Sequence, residues 1–140
     1  HLIRYFSTHT AVNVTATDRL SIARIKEIIN YVEEHFCEQI SLQDIADHLG
    51  LGKEYFCRFF KKNMGMSFLH YVNEVRVSQI YRDLIRTDLP IYELMERNGF
   101  NNQKLFNRTL KKCSDVRPLL YGEIKLVLSE KSPAESITYL

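Results

Sequence analysis

Apolar residues first recur at helical spacing from Ser21 onward. In SIARIKEIINYVEEHF, Ile22, Ile25, Ile29, Val32 and Phe36 fall at three- and four-residue steps. That spacing predicts one face of an amphipathic helix, with Lys26, Glu27, Glu33 and Glu34 on the other. At Ser41 the run SLQDIADHLG sets Asp44 three residues after Ser41, a helix start of the capping-box type. Leu42, Ile45, Ala46 and Leu49 then give one inward side, and Gly50 supplies a stop that tolerates positive φ. KEYFCRFFKKN follows almost at once, with Phe56, Phe59 and Phe60 inward and Lys53, Arg58, Lys61 and Lys62 available to another side. Two short helices joined by a tight glycine turn, the second basic, predict a helix-turn-helix unit. After Gly65 a longer helix is expected, capped by Ser67 and carrying Phe68, Tyr71, Val72 and Val75 through to Leu84. It should end near Thr87–Asp88, because Leu89–Pro90 forces a new start. IYELMERNGF then repeats the first short helix, with Ile91, Leu94 and Met95 inward and Asn98–Gly99 as the turn, and NQKLFNRTLKK is the next helix.

The repetition can be tested by position. Phe56 and Phe106, Arg58 and Arg108, Lys61 and Lys111, Lys62 and Lys112, and Tyr71 and Tyr121 are each 50 residues apart. Upstream, Ile45 and Leu94, and Gly50 and Gly99, are each 49 apart, so one residue has been added in the second turn. The pattern therefore predicts an all-α fold of about seven helices. Two helix-turn-helix subdomains, about 41–64 and 90–113, are joined by a long central helix at about 67–87. Residues 123–140 are expected to form a strand-like or disordered tail of no assigned role.

Composition permits this without favouring a function. Of 140 residues, 45% are hydrophobic and 26% charged, and the formal net charge is only +2. At this length roughly 68–70% of the unfolded chain's surface is buried on folding, so no metal or disulfide is needed. Sorted along the chain, however, charge changes the picture. Residues 41–122 hold 13 Lys+Arg against 9 Asp+Glu, whereas residues 1–40 hold 4 against 5 and residues 123–140 hold 2 against 3. The excess lies mostly on the second helix of each unit, while Asp44, Asp47, Glu93 and Glu96 make the first helices acidic. Cys37, Cys57 and Cys113 form no CxxC pair, which suits a reducing cytoplasm. Cys57 is expected to be a passive thiol, and His35, His48 and His70 lack metal-ligand spacing, so no metal or cofactor is expected. The sequence has no apolar run of membrane-spanning length and no signal-peptide pattern. It also has no GxSxG, phosphate loop or HExxH motif, and no enzyme activity is expected.

The residues that carry this pattern resemble a known family. SLQDIADHLGLGKEYFCRFFKKNMGMSFLHYVNEVR, then TDLPIYELMERNGFNNQKLFNRTLKK and VRPLLY, are similar to the DNA-binding domain of the AraC/XylS transcription regulators. The most specific parts are R-x-F-K at Arg58–Lys61, G-M-S-F-x-x-Y at Gly65–Tyr71, and N-G-F followed by F-N-R-T-L-K at Asn98–Lys111. The resemblance implies a DNA-binding domain at 21–122, with residues 1–20 as the linker from an absent N-terminal domain. The family usually has Leu where Asp83 stands, and Asp115 takes the place of a turn glycine, a site where a left-handed conformation is tolerated.

The resemblance further implies base-facing residues at Glu54, Cys57 and Arg58 in the first unit and at Gln103, Lys104, Asn107 and Arg108 in the second. Lys53, Lys61, Lys62, Lys111 and Lys112 are expected to contact phosphate, which gives affinity and register without reading sequence. The two recognition helices are expected to enter successive major grooves, roughly 34 Å apart. The second helix is wholly basic and amide-rich, so greater electrostatic affinity is expected from it. The implied partners are double-stranded promoter DNA and RNA polymerase, with a small-molecule or other effector acting on an absent domain. The fragment is expected to be monomeric, its parent able to dimerise, and regulation to be activation. The rival reading is a protein-interaction module of the same helical fold, toward which Glu54 and Cys57 lean.

Overall fold

The computed structural model describes residues 16–131, which hold seven helices and no strand. In chain order these are α1 (Ala16–His35), α2 (Leu42–Leu49), α3 (Lys53–Met64), α4 (Phe68–Arg86), α5 (Ile91–Arg97), α6 (Gln103–Val116) and α7 (Pro118–Lys131). They divide into two units, the first built from residues 16–35 and 40–69, the second from 36–39 and 70–131.

In the first unit, α1 buries Ile25, Ile28, Ile29 and Val32. The helix starts at Ala16, so residues 16–20 of the expected linker are helical, while residues 1–15 lie outside the described part. The helix also stops at His35, one residue short of the end expected from the apolar stripe. Phe36 instead belongs to the second unit. α2 starts as its sequence predicts: the Asp44 N–H donates to Ser41 Oγ at 3.0 Å, a cap worth about 1 kcal/mol. It ends at Gly50, whose φ is 69°. The inner face of α3 carries Phe56, Phe59, Phe60 and Met64. Phe56 and Phe60 meet the ring of Phe68 edge-on, with centroids 5.2 and 5.4 Å apart, contacts that add about 0.5–1.5 kcal/mol each beyond area burial.

The core of the second unit gathers Val77, Ile80 and Leu84 from α4, Ile91, Leu94 and Met95 from α5, Phe100, then Phe106, Leu110 and Cys113 from α6 and Ile124 and Leu128 from α7. Two buried charged side chains of α4 are met by polar groups, while Ser78 Oγ on the same helix is enclosed without a hydrogen-bond partner among the described residues. Arg76 donates through Nε to the Phe36 carbonyl (2.7 Å), through Nη2 to the Glu38 carbonyl (2.8 Å) and through Nη1 to Asn73 Oδ1 (3.1 Å), which ties residues 36–39 to this unit. The Glu74 carboxylate forms a loose ion pair with Arg117 at 3.8 Å and stands 3.5 Å from His70 Nε2. Asp83, where the family usually has Leu, accepts from Asn98 Nδ2 at 3.0 Å and from Gln79 Nε2 at 3.0 Å. It thereby braces α4 against the turn that follows α5.

Two sequence expectations need correction here. The stretch after Glu123 is neither strand-like nor disordered as far as Lys131, because it continues α7, with Ile124 and Leu128 in the core. Residues 132–140 lie outside the described part. Nor does Asp115 form a left-handed stop like Gly65, whose φ is 75°; it lies inside α6, which runs on to Val116.

Candidate nucleic-acid interface

The duplication read from spacing reappears in the hydrogen bonds. In the first unit the Leu51 N–H donates to the Ala46 carbonyl at 2.9 Å; in the second, Phe100 N–H donates to the Met95 carbonyl at 2.8 Å, both partners displaced by 49 residues. Gly50 and Gly99 sit in these turns with φ of 69° and 88°. At the start of the following helices the Phe56 N–H donates to the Gly52 carbonyl and Phe106 N–H to the Asn102 carbonyl, now displaced by 50. The added residue therefore lies at Asn101, between turn and helix. One device, a positive-φ glycine closing a short helix and aiming a longer one, is built twice.

Each longer helix buries its aromatic side and leaves its long donors in solvent. On α3, Lys53, Glu54, Arg58, Lys61 and Lys62 are exposed, whereas Cys57 is half-buried. With 3.6 residues per turn, Arg58 lies opposite the Phe56–Phe60 side, flanked by Glu54 and Lys61 on one hand and by Tyr55 and Lys62 on the other. On α6, Gln103, Lys104, Arg108, Lys111 and Lys112 are exposed. Phe106, Thr109 and Leu110 face inward. Asn107 is half-buried, and its Oδ1 is enclosed without a hydrogen-bond partner among the described residues. Its acceptor is thus directed away from solvent, unlike the side chains of Gln103 and Arg108.

The helix starts differ. Asn102 caps α6, accepting from the Lys104 N–H at 2.8 Å and the Leu105 N–H at 3.3 Å, whereas Gly52 offers α3 no side-chain cap. Asn102 was not singled out by the sequence reading, although Asn immediately before a helix is a standard start signal. Also missed was Tyr55, 45% exposed on the outer side of α3, whose hydroxyl accepts a long hydrogen bond of 3.4 Å from Arg24 on α1. Guanidinium, ammonium and amide groups on the solvent side of a single helix are the groups that pair with base edges and phosphates in a major groove.

Comparison with known proteins agrees with this geometry. Residues 45–123 match the family model described as a helix-turn-helix domain. The multiple antibiotic resistance protein MarA of Salmonella typhimurium is 32% identical over 97 residues, covering 69% of this chain and 76% of that protein. An HTH-type transcriptional regulator of Staphylococcus aureus strain MSSA476 is 25% identical over 141 residues, covering 99% of this chain but 18% of the regulator, so the chain spans about a fifth of that relative's length. Among solved structures, the C-terminal domain of AraT, a response regulator from Geobacillus stearothermophilus, is similar with a TM-score of 0.59 at 27% identity, covering 79% of this chain and 86% of that one. With the family model matching more than half of the chain and a relative 32% identical over most of its length, the chain belongs to the AraC/XylS family of DNA-binding transcription regulators.

Proposed function

We propose that this chain reads a specific promoter sequence through both helix-turn-helix units and activates transcription from it. α3 and α6 are the recognition helices, each occupying a major groove of the same site. Arg58 and Arg108, at the centres of the two outer faces, are placed to pair with guanine, and Gln103 with adenine. Glu54, Cys57, Lys104 and Asn107 complete the base-facing set, with Cys57 and Asn107 the least accessible. Lys53, Lys61, Lys62, Lys111 and Lys112 take phosphates. The observation that carries this reading is the exposed donor face built twice on equivalent helices.

RNA polymerase is the partner that activation requires, and an effector would act through parts of the longer protein. The chain itself acts as a monomer in the cytoplasm, without cofactor or catalytic role. No helix among the described residues is long and apolar enough to cross a membrane.

Selection of bound duplexes from a random pool, followed by a salt titration on the selected site, tests the reading. One shared motif with two separated half-sites is expected, together with an affinity that falls steeply as salt rises. Binding without sequence enrichment or salt dependence, alongside capture of a partner protein through the same faces, would favour the interaction-module alternative, toward which the exposed Glu54 leans.

A further inference from the structure

We infer that Arg24, on α1, is a phosphate-contacting residue that extends the first recognition surface beyond its own helix. The inference rests on the DNA-binding reading above. Arg24 is held at the rim of α3 by two aromatic side chains: its Nη1 donates to the Tyr55 hydroxyl at 3.4 Å, and its Cζ stands 5.9 Å from the centre of the Phe59 ring. Tyr55 and Phe59 are themselves stacked, with centroids 6.2 Å apart and planes 18° apart. The guanidinium is therefore seated on a ring surface, an arrangement that suits Arg better than Lys.

Its position and its unused donors both point to an anion. Tyr55 shares the outer side of α3 with Arg58 and Lys62, on the Lys62 flank, so Arg24 borders the face assigned to DNA. Among the described residues no carboxylate lies within ion-pair reach of it, and its bond to Tyr55 is long, leaving most of a five-donor fork for a planar or tetrahedral oxyanion. Duplex phosphates are the oxyanions that this face meets.

Charge bookkeeping along the repeat supports the assignment. The first recognition helix sets Lys53, Arg58, Lys61 and Lys62 against Glu54, whereas its counterpart has Lys104, Arg108, Lys111 and Lys112 with no acid from Asn102 to Lys112. Arg24 supplies the cation that Glu54 cancels. The second unit has no equivalent perch, since the residue 50 positions after Tyr55 is Leu105, which is half-buried. The greater electrostatic affinity expected of the second helix is accordingly narrowed.

The test uses the 140-residue chain, a duplex obtained by selection, and an unrelated duplex of equal length. Fluorescence anisotropy follows binding across a salt series. Arg24→Met keeps an apolar stem on the Phe59 ring and removes the charge. It is expected to weaken binding to both duplexes about three- to tenfold, to make the slope of log K against log salt shallower by about 0.9, and to leave the urea midpoint unchanged. Arg24→Lys is expected to retain the wild-type slope. A wild-type slope in Arg24→Met, with or without a lower urea midpoint, overturns the assignment and reduces Arg24 to a packing role, while normal binding by the unsubstituted chain keeps the DNA reading. Absence of salt-dependent duplex binding by the unsubstituted chain overturns both.

Discussion

Gly50 and Gly99 occupy equivalent places in the two turns, yet their surroundings differ. A Cβ at Gly50 would meet open space, whereas one at Gly99 would lie 2.7 Å from the Phe36 carbonyl oxygen and 2.8 Å from Arg76 Nε. Gly50→Ala should cost about 1–2 kcal/mol for the left-handed backbone alone. Gly99→Ala adds a collision with backbone and should cost roughly 2–4 kcal/mol; urea unfolding of the two variants measures the difference. Spacing marked both glycines as turn residues, but the wall around Gly99 comes from residues 23 to 63 positions away in the chain, which no local pattern shows. Cys113 is a second case. Burial pushes its thiol up to about 11, with Glu74 adding to the rise and Arg117 opposing it. The folded chain therefore keeps a proton that the unfolded chain releases near its ordinary value of 9.0. Stability should be intact below that value and fall as pH rises from 9.0 toward 11, and Cys113→Ala should flatten this interval in urea midpoints taken across the series.

Among the elements, α2, α3 and α5 follow their apolar spacing closely, because each has a single inward side and a chemical signal at one end or both, whereas α4 keeps its expected span although residues 74–78 are buried all round it. α7 was harder to foresee. Leu119 and Leu126 are 84% and 60% exposed on its outer side, while Ile124 and Leu128 face the core, so apolar residues occur all round and one-sided periodicity is lost. Gly122, within the helix, further weakens its local propensity. The element is nonetheless part of the second core. Leu128→Ala should destabilise the chain by about 2–5 kcal/mol, while Leu126→Ala should change it by less than about 0.5 kcal/mol, a contrast readable in thermal or urea unfolding. Tyr81 of α4 packs against the same core, and the nearby Glu123 carboxylate of α7 raises its phenol above the ordinary value. α6 outlasts its counterpart for a related reason: with Asp115 in place of a glycine, nothing forces a left-handed stop, and the helix continues until the residues before Pro118.

For the whole molecule, the donor face of each recognition helix was legible because period and charge coincide there, and Arg58 and Arg108 are exposed where helical geometry puts them. Arg24 was not legible, since it acts across 31 residues of sequence through an aromatic seat on another helix. Arg58→Ala and Arg108→Ala should each cost about 1–3 kcal/mol of specific binding and relax base preference only in its own half-site, which selection repeated with each variant would show. Uniform loss across both half-sites would contradict the division of labour between α3 and α6. The grip of Arg76 on Phe36 and Glu38 has a practical corollary for dissecting the gene. Because four residues between α1 and α2 are housed with the later half of the chain, no single cut yields two self-sufficient pieces: an early fragment carries a loop stripped of its mooring, and a late one is left with a guanidinium clasping nothing. Half-domain expression should accordingly fail where point substitutions on either recognition helix succeed.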